Sequence, residues 1–330
     1  MKKTTSKILV AALALFMAIG IATGSTFAWF SMNTTVTATG MQVVAKSNST
    51  FLLIKETGSV SGADDAAKAA NIQNGGTPAD DSDDNPITVA LTVADGDADL
   101  YPAKPYNATT DSAKYTTVAG TASTVADYST AGVVGNWFTA NSLDPDASDT
   151  RITNDRVLTS FTDYVIKKSV TLTIAAGADD AHHLTVTGTI EAKGLGDAIT
   201  SGTAEAGKTY YSFASGVYTK EDVEVGVTDV TGFYAKTAGG SDPDEMDITA
   251  VKVLVVTDDD NIVTLSHAQN GSAQSLYGID DETLTDSTVV VVDIYIYYDG
   301  SEAAVYSNNK ANLGWATIEL QFDVEVGAGA

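Results

Sequence analysis

The chain has 330 residues, with 43 acidic side chains against 18 basic ones and a formal net charge of −25. Such a charge repels nucleic acid and anionic membrane surfaces, which argues against a nucleic-acid-binding protein. The chain contains no cysteine, and this excludes disulfides, thiol catalysis and cysteine-ligated zinc. With 44% hydrophobic residues, it can bury the core of one large domain or of two modest ones.

The first 28 residues have the features of an export signal. Three lysines open the chain, and an uncharged run of 17 residues follows, from Ile8 to Gly24. Small residues at Thr26 and Ala28 then predict cleavage by a signal peptidase between Ala28 and Trp29. An uncleaved membrane anchor is the alternative, but the run is shorter than the ~20 apolar residues that a bilayer requires. We therefore expect only transient membrane contact, through this segment.

The predicted mature chain is even more acidic. Residues 1–28 contain three lysines and no acidic residue, so their removal takes the net charge from −25 to −28. An exported, acidic chain without cysteine is typical of a Gram-positive surface, and we expect a secreted, extracellular or cell-surface location. The expected organisation is a signal peptide over 1–28 and a single β-sandwich domain over 29–330. Within that domain, a poorly patterned insertion lies around 56–160.

Alternating and continuous apolar runs predict strands throughout the mature chain. Val36 and Ala38 alternate with threonines, and Ile318 to Val326 alternates apolar with polar residues, as strands with one buried face do. Ile248 to Val256 and Val289 to Tyr298 are nearly continuous apolar runs, which predicts burial on both faces. Without comparable helical segments, this pattern predicts an all-β protein, specifically an antiparallel β-sandwich of jelly-roll type with loop insertions.

Three further segments carry local predictions. The short apolar run Phe51 to Ile54 predicts a buried strand, and Ala63 to Ile72 could form one or two helical turns. Val170 to Ile174 and Leu184 to Ile190 both alternate with polar residues on either side of a Gly and Asp turn. Together these two segments predict a β-hairpin.

Signals for enzymatic activity are missing from the sequence. None of the three histidines, His182, His183 and His267, lies in a His-Glu-x-x-His motif, and neither a Gly-x-Ser-x-Gly elbow nor a phosphate-binding loop is present. His182 and His183 adjoin a predicted strand and are expected to be exposed loop residues. The sequence therefore predicts a protein that is not an enzyme.

One acidic segment has the spacing of a calcium loop. Asp144, Asp146 and Asp149 lie near one another and Asp155 ends the run, which makes them weak calcium candidates. However, Asp149 occupies the position of the turn glycine, and the closing glutamate is missing. A solvated turn is favoured, so we expect no cofactor, with calcium at most at the surface.

Two aromatic residues would open the mature chain. Trp29 and Phe30 either fold back into their own core or fill a groove on another molecule, and the sequence leaves both alternatives open. If the second holds, Trp29, Phe30, Val36, Ala38 and Met41 belong to a donor strand that pairs with another copy of the chain.

The start of the chain resembles a known family. A lysine-led signal, the Gly24 to Ala28 junction, an aromatic pair, a threonine-rich strand and Gly40 are similar to the start of the TasA/camelysin family of secreted biofilm-matrix fibre proteins. The resemblance implies cleavage by a dedicated signal peptidase, a jelly-roll sandwich and assembly into extracellular fibres.

The chain also departs from that family. Phe30-Ser31-Met32 replaces an acidic Phe-x-Asp segment, and residues 56–160 have no counterpart. No metal-ligand set of a protease can be assigned to positions of this sequence. The leading hypothesis is a secreted subunit of a surface or biofilm-matrix filament that self-associates by N-terminal donor-strand exchange. The alternative is a monomeric cell-surface adhesin or glycan-binding module.

Overall fold

The computed structural model describes most of the second half of the chain and parts of the first. The described residues are 41–45, 52–74, 88–91, 100–105, 132–140, 155–162, 164–178, 180–239, 242–258, 262–276, 283–302, 304–305, 313 and 315–326. All of them fall in the second of two compact units, Thr39–Ala330. The predicted signal peptide, residues 1–28, lies outside the described residues.

Strands dominate the described part of the chain, which confirms the all-β prediction. In chain order, the strands and the one α-helix of this part are β1 (Met41–Ala45), β2 (Leu52–Glu56), α1 (Asp65–Gln73), β3 (Thr88–Leu91), β4 (Lys104–Pro105), β5 (Trp137–Ala140), β6 (Asp155–Val157), β7 (Val165–Ile174), β8 (Ala181–Ala192), β9 (Lys208–Ala214), β10 (Val217–Glu221), β11 (Tyr234–Thr237), β12 (Glu245–Asp247), β13 (Val251–Thr257), β14 (Ile262–Leu265), β15 (Ala273–Ser275), β16 (Val290–Tyr298) and β17 (Ala316–Val326). Short 3-10 turns cover Thr57–Ser59, Val134–Asn136 and His267–Gln269.

The described strands form four sheets, and nearly all neighbouring strands in them are antiparallel. Sheet 1 has the order β15-β8-β17-β1-β3, and sheet 2 has the order β14-β13-β16-β7-β2. Sheet 3 has the order β11-β9-β10-β12, and sheet 4 has the order β4-β5-β6.

Sheets 1 and 2 share one hydrophobic core. Val253 and Ile294 of sheet 2 lie in the same buried cluster as Leu320 and Phe322 of sheet 1. Along β17 every second residue from Ile318 to Val324 is buried, which confirms the strand predicted from its alternation. The two sheets are thus held together by the inward faces of their central strands.

The central strands of sheet 2 are buried on both faces, as their apolar runs predicted. Ile294 faces the shared core, whereas Leu254, Tyr295 and Tyr297 belong to a second cluster with Trp137 of sheet 4. The Trp137 ring meets the Tyr297 ring edge to face, with centroids 5.1 Å apart. Sheet 4 therefore covers part of the outer face of sheet 2.

The predicted hairpin of β7 and β8 is wrong. β7 pairs with β16 and β2 in sheet 2, whereas β8 pairs with β17 and β15 in sheet 1. The chain crosses from one sheet to the other at the turn that was expected to join a hairpin. Alternation reports which face of a strand is buried but not which strand lies beside it, so both arrangements give the same pattern.

Helix α1 forms where the sequence allowed one or two helical turns. Asp64 caps its first turn by accepting a hydrogen bond from the Ala67 amide at 2.9 Å. Ala69 and Ile72 are fully buried, and the Gln73 side chain donates to the Ile174 carbonyl at 2.8 Å. The helix is therefore fastened to β7 of sheet 2.

Candidate assembly site

Strand β1 directly follows the segment predicted to be a donor strand. It lies inside sheet 1, where it pairs antiparallel with β3 and parallel with β17. It is parallel to β17 over only four positions, from Gln42 opposite Glu319 to Ala45 opposite Phe322. Among the strand pairs of the described chain, this is the one parallel pair, and parallel pairs are slightly less stable per residue.

Strand β17 offers more backbone than β1 occupies. It has 11 residues and pairs with β8 from Ala316 to Val326, with a bulge between Asp323 and Glu325. On its other side, β1 meets four of those residues. We call this side of β17 the β1 slot. The inward residues of β17, such as Leu320 and Phe322, are buried in the shared core, so the core holds this strand in place.

The structure describes one of the five residues predicted for the donor strand. Met41 is the first residue of β1 and lies opposite Leu91 of β3 in its own sheet. The other four residues, Trp29, Phe30, Val36 and Ala38, and the predicted cleavage site between Ala28 and Trp29, lie outside the described residues. The donor strand therefore stays a prediction.

The opposite edge of sheet 1 is closed by the chain itself. β8 has 12 residues, but its edge neighbour β15 has three and meets β8 only at Thr185 to Thr187. Beyond β15, the Gly271 amide donates to the Gly188 carbonyl at 3.1 Å and the Leu276 amide to the Leu184 carbonyl at 2.8 Å. We call Ser266–Ser275 the edge cover.

A side chain completes this closure. The Asn270 amide oxygen accepts a hydrogen bond from the Ile190 amide at 2.8 Å, and the Asn270 amide nitrogen donates to the Ile190 carbonyl at 2.8 Å. One side chain thus satisfies both backbone groups that a neighbouring strand would otherwise pair. Asn270 was not predicted as a contact residue, although Asn270-Gly271 is a turn dipeptide and Ser266 and Gln269 have capping-box spacing.

His267 fixes the edge cover against sheet 3. Its imidazole lies against Gly216, where a Cβ atom would be 2.6 Å from His267 Nε2 and 2.7 Å from Thr249 Cγ2. Gly216 has a positive φ of 89° at the turn between β9 and β10, a conformation that suits glycine. His267 Nδ1 is buried without a hydrogen-bond partner. Burial lowers the pKa of His267, and Lys252 lowers it further, against the opposing effect of Asp247 and Glu302.

Sheet 3 carries an aromatic cluster at its surface. The Phe213 ring is 41% exposed and lies 4.5 Å from the Tyr218 ring and 6.0 Å from the Tyr234 ring, centroid to centroid. Burial raises the pKa of Tyr218 to about 12, with Tyr234 and Glu191 contributing, so this hydroxyl is neutral at physiological pH. Burial also raises the pKa of Glu191, with help from Asp197 and Glu319. The cluster therefore combines an exposed ring with a nearby carboxylate.

The structure describes one of the four weak calcium candidates. Asp144, Asp146 and Asp149 lie outside the described residues, and Asp155 begins β6, opposite Ala140 of β5. In the part of the chain that the structure describes, no group of three or more His, Cys, Asp or Glu side chains could hold a metal ion.

The two neighbouring histidines, His182 and His183, are strand residues, so the prediction of loop positions is wrong. Both belong to β8, and His183 has a positive φ of 53° near the bulge opposite β17. The bulge absorbs the irregular residue, which lets the strand continue through this point. His182 Nδ1 lies 3.5 Å from Thr283 Oγ1, and the two imidazole centroids are 6.5 Å apart.

Comparisons with known proteins add no relative. No protein-family model, curated protein or solved structure matches this chain. Among the described residues, no helix is long and apolar enough to cross a membrane.

Proposed function

We propose that this chain is a secreted structural subunit of an extracellular surface or biofilm-matrix filament. In the filament, the N-terminal segment from Trp29 to Met41 of one copy completes sheet 1 of the next. The segment contains strand-forming threonine and valine and begins with two aromatic residues that would gain from burial. Cleavage after Ala28 would free it to move.

The β1 slot is the observation that carries this proposal. β1 fills the slot over four residues and in the parallel direction, within a sheet whose other described strand pairs are antiparallel. A segment from another copy that pairs antiparallel with β17 over more of its 11 residues would gain backbone hydrogen bonds that β1 does not make. β1 would then leave with the segment that precedes it and enter the next copy.

The closed edge at β8 supports a single direction of growth. Because the edge cover pairs with β8, a donor segment finds its acceptor on the β1 side of sheet 1 and not on both sides. A donor on one surface and an acceptor on another make a head-to-tail contact. Contacts of this type, when they do not close into a ring, build filaments.

The proposed fold is a jelly-roll sandwich with two added edge strands. Its eight strands follow the order β1-β17-β8-β15 in sheet 1 and β7-β16-β13-β14 in sheet 2, and the chain changes sheet at each step except between β13 and β14. This alternation supports a jelly roll. β2 and β3 would be strands added to the edges of this jelly roll. β1 departs from the jelly-roll pattern because it runs parallel to β17, and we propose that this makes β1 replaceable by a strand of another copy.

Surface charge sets a condition on assembly. A mature net charge of −28 makes neighbouring copies repel one another, and divalent cations such as calcium would lower that barrier. In this proposal calcium acts at the surface between copies and is not a resident cofactor.

The test is a mature chain that begins after Met41. We expect it to fold, because the shared core is made by β7, β8, β13, β16 and β17, and to give no fibres by electron microscopy. The control is the full mature chain beginning at Trp29, prepared in the same way. Normal fibres from the shortened, folded chain would overturn the proposal.

A glycan-binding surface module is the second candidate. It is favoured by the exposed Phe213 ring, since an aromatic face can stack on a sugar. Glu191, whose charge acts on the neighbouring Tyr218, would accept hydrogen bonds from sugar hydroxyls. A glycan array separates the two candidates. A persistent monomer that retains glycan, and loses it in Phe213→Ala, supports this candidate over the filament.

A further inference from the structure

The edge cover protects the part of β8 best suited to pair with another strand. From Leu184 to Ile190, β8 carries no charged side chain and alternates threonine with apolar residues. The cover contacts this same stretch through β15, Gly271 and Asn270. If this edge of β8 were uncovered, its free backbone groups could pair with a strand of another chain. Two copies of β8 could pair there without repulsion between like charges, because this stretch has no charged side chain.

One titratable side chain of the edge cover, His267, packs against sheet 3. His267 begins the 3-10 turn of the cover, next to Ser266, whose backbone amide donates to the Gln269 side chain at 3.0 Å. Its ring fills the space above Gly216, and its Nδ1 is buried with no acceptor within hydrogen-bond distance. A proton at Nδ1 would therefore create a buried charged donor without a partner.

Charged groups from three neighbouring elements face this ring. Lys252 of β13 opposes a positive charge on His267, whereas Asp247 of β12 and Glu302, after β16, favour it. Glu302 is already engaged with Lys252, whose Nζ lies 2.8 Å from its carboxylate oxygen. Asp247 is engaged as well, since one of its oxygens accepts from both the Thr249 amide and the Thr249 hydroxyl. Both carboxylates are thus engaged elsewhere, and neither accepts a hydrogen bond from the His267 ring in the closed state.

We propose that the edge cover is an acid-released guard, which leaves β8 on acidification and allows β8 to pair edge to edge with β8 of a second copy. Release removes Asn270, Gly271 and β15 from the edge and exposes the backbone groups of Thr185 to Ile190. Leu276, which is fully buried, holds the end of the cover in place, so the motion is a local opening and not unfolding. The contact joins identical surfaces and gives a two-fold dimer, distinct from the head-to-tail contact of the proposed filament.

The pH window follows from the direction of the pKa. Because the pKa of His267 is lowered in the closed state, the closed state is favoured above about pH 6.5, the ordinary value for histidine, and loses that advantage as the pH falls towards the lowered pKa. Within this window the opening constant rises by up to about tenfold for each pH unit. Asp242, whose pKa is lowered to about 2, titrates far outside this window.

Hydrogen exchange at pH 7.5 and pH 5.0 tests the opening on the full mature chain. Protection factors, corrected for intrinsic exchange, are compared for peptides covering Ser266–Ser275 and Ala181–Ala192. We expect both peptides to lose protection at pH 5.0, while the β16 peptides keep theirs. Equal protection of the cover at the two pH values would overturn the proposal.

Three variants assign the effect. His267→Gln cannot be protonated and is expected to keep full protection at pH 5.0, whereas His182→Gln, the matched control on β8, responds as the unchanged chain does. Asn270→Ala removes both hydrogen bonds to Ile190 and is expected to lower protection of β8 already at pH 7.5. Acid-induced loss of protection in His267→Gln, or unchanged protection of β8 in Asn270→Ala, would contradict the proposed acid release of the edge cover.

Sedimentation velocity identifies the partner. The unchanged chain is expected to form a dimer at pH 5.0 and not at pH 7.5, and His267→Gln to form none at either. A chain that opens by hydrogen exchange but stays monomeric at pH 5.0 would refute the pairing of two β8 strands. These results do not depend on fibre formation, so a failure of the proposed filament and a failure of the guard are distinguishable.

Discussion

The two sides of the β8–β17 pair in sheet 1 differ in how their backbone groups are satisfied. On the β8 side, a three-residue strand, a turn amide and the Asn270 side chain fit along the strand. On the β17 side, β1 meets four of 11 residues and runs parallel. The β8 side is closed by these groups, whereas the β17 side holds a short parallel strand, which the proposed filament would exchange. In the proposed filament, packing on the β8 side would therefore limit strand addition to the β17 side.

The largest expected effect on stability comes from a substitution in β17, which contacts both β8 and β1. Phe322 of β17 is fully buried in the core between sheets 1 and 2. Phe322→Ala should lower the free energy of unfolding by about 3–5 kcal/mol, measured by urea denaturation, because it leaves a cavity beneath β8 and β1 alike. Gln321→Ala, on the opposite face of the same strand, is the control; it removes one hydrogen bond to Asp323 and should change the free energy of unfolding by about 1 kcal/mol or less. Equal effects of the two substitutions would mean that β17 does not anchor the core.

A smaller change should disturb the β8 side alone. A Cβ atom at Gly188 would lie 2.8 Å from Leu265 Cδ1, the last residue before the edge cover. Gly188→Ala should therefore destabilise the chain by about 1–3 kcal/mol and raise hydrogen exchange in the cover. Gly196→Ala, with no atom within 4 Å of the added Cβ, is the matched control. Faster exchange in β1 than in the cover would show that the two sides are not independent.

The smallest effect on stability is expected at the N-terminal segment. Val36→Pro removes a backbone donor from the predicted donor strand, so the fibre yield should fall while the free energy of unfolding of the monomer changes by less than about 0.5 kcal/mol. Val36→Thr keeps the backbone amide and a β-branched side chain, and should assemble normally. Fibre yield is read by sedimentation and electron microscopy. Equal fibre yields from both variants would show that Val36 does not take part in the contact between copies.

Patterns that depend on one strand alone were predictable from the sequence. The alternation of Ile318 to Val326 and the continuous apolar run of Val289 to Tyr298 identified β17 and β16, together with their buried faces, because side-chain period reports burial directly. The apolar run at Phe51 to Ile54 likewise predicted the short strand β2, whereas the helix near Ala69 was only allowed, as one or two turns within a segment predicted mainly as a polar loop.

Features that depend on distant partners were not predictable. Asn270 bonds to Ile190, which is 80 positions away, and nothing in the local sequence of either residue signals the pairing. The crossing between β7 and β8 and the parallel direction of β1 are likewise choices of neighbour, which alternation does not encode. The donor residues Trp29, Phe30, Val36 and Ala38 stay predictions.

In the proposed filament, the N-terminal segment of one copy pairs with β17 of another. Because the chain contains no cysteine, a disulfide can be introduced at chosen sites without competing thiols. Copies carrying Thr35→Cys, Thr37→Cys or Thr39→Cys are each mixed with copies carrying Gln321→Cys, assembled, oxidised and run on a non-reducing gel. In at least one mixture, a copy with the N-terminal cysteine should be covalently joined to a copy with Gln321→Cys. This dimer should be present in fibres and missing from unassembled protein. Fibres that form normally without a cross-link in any of the three mixtures would contradict the claim.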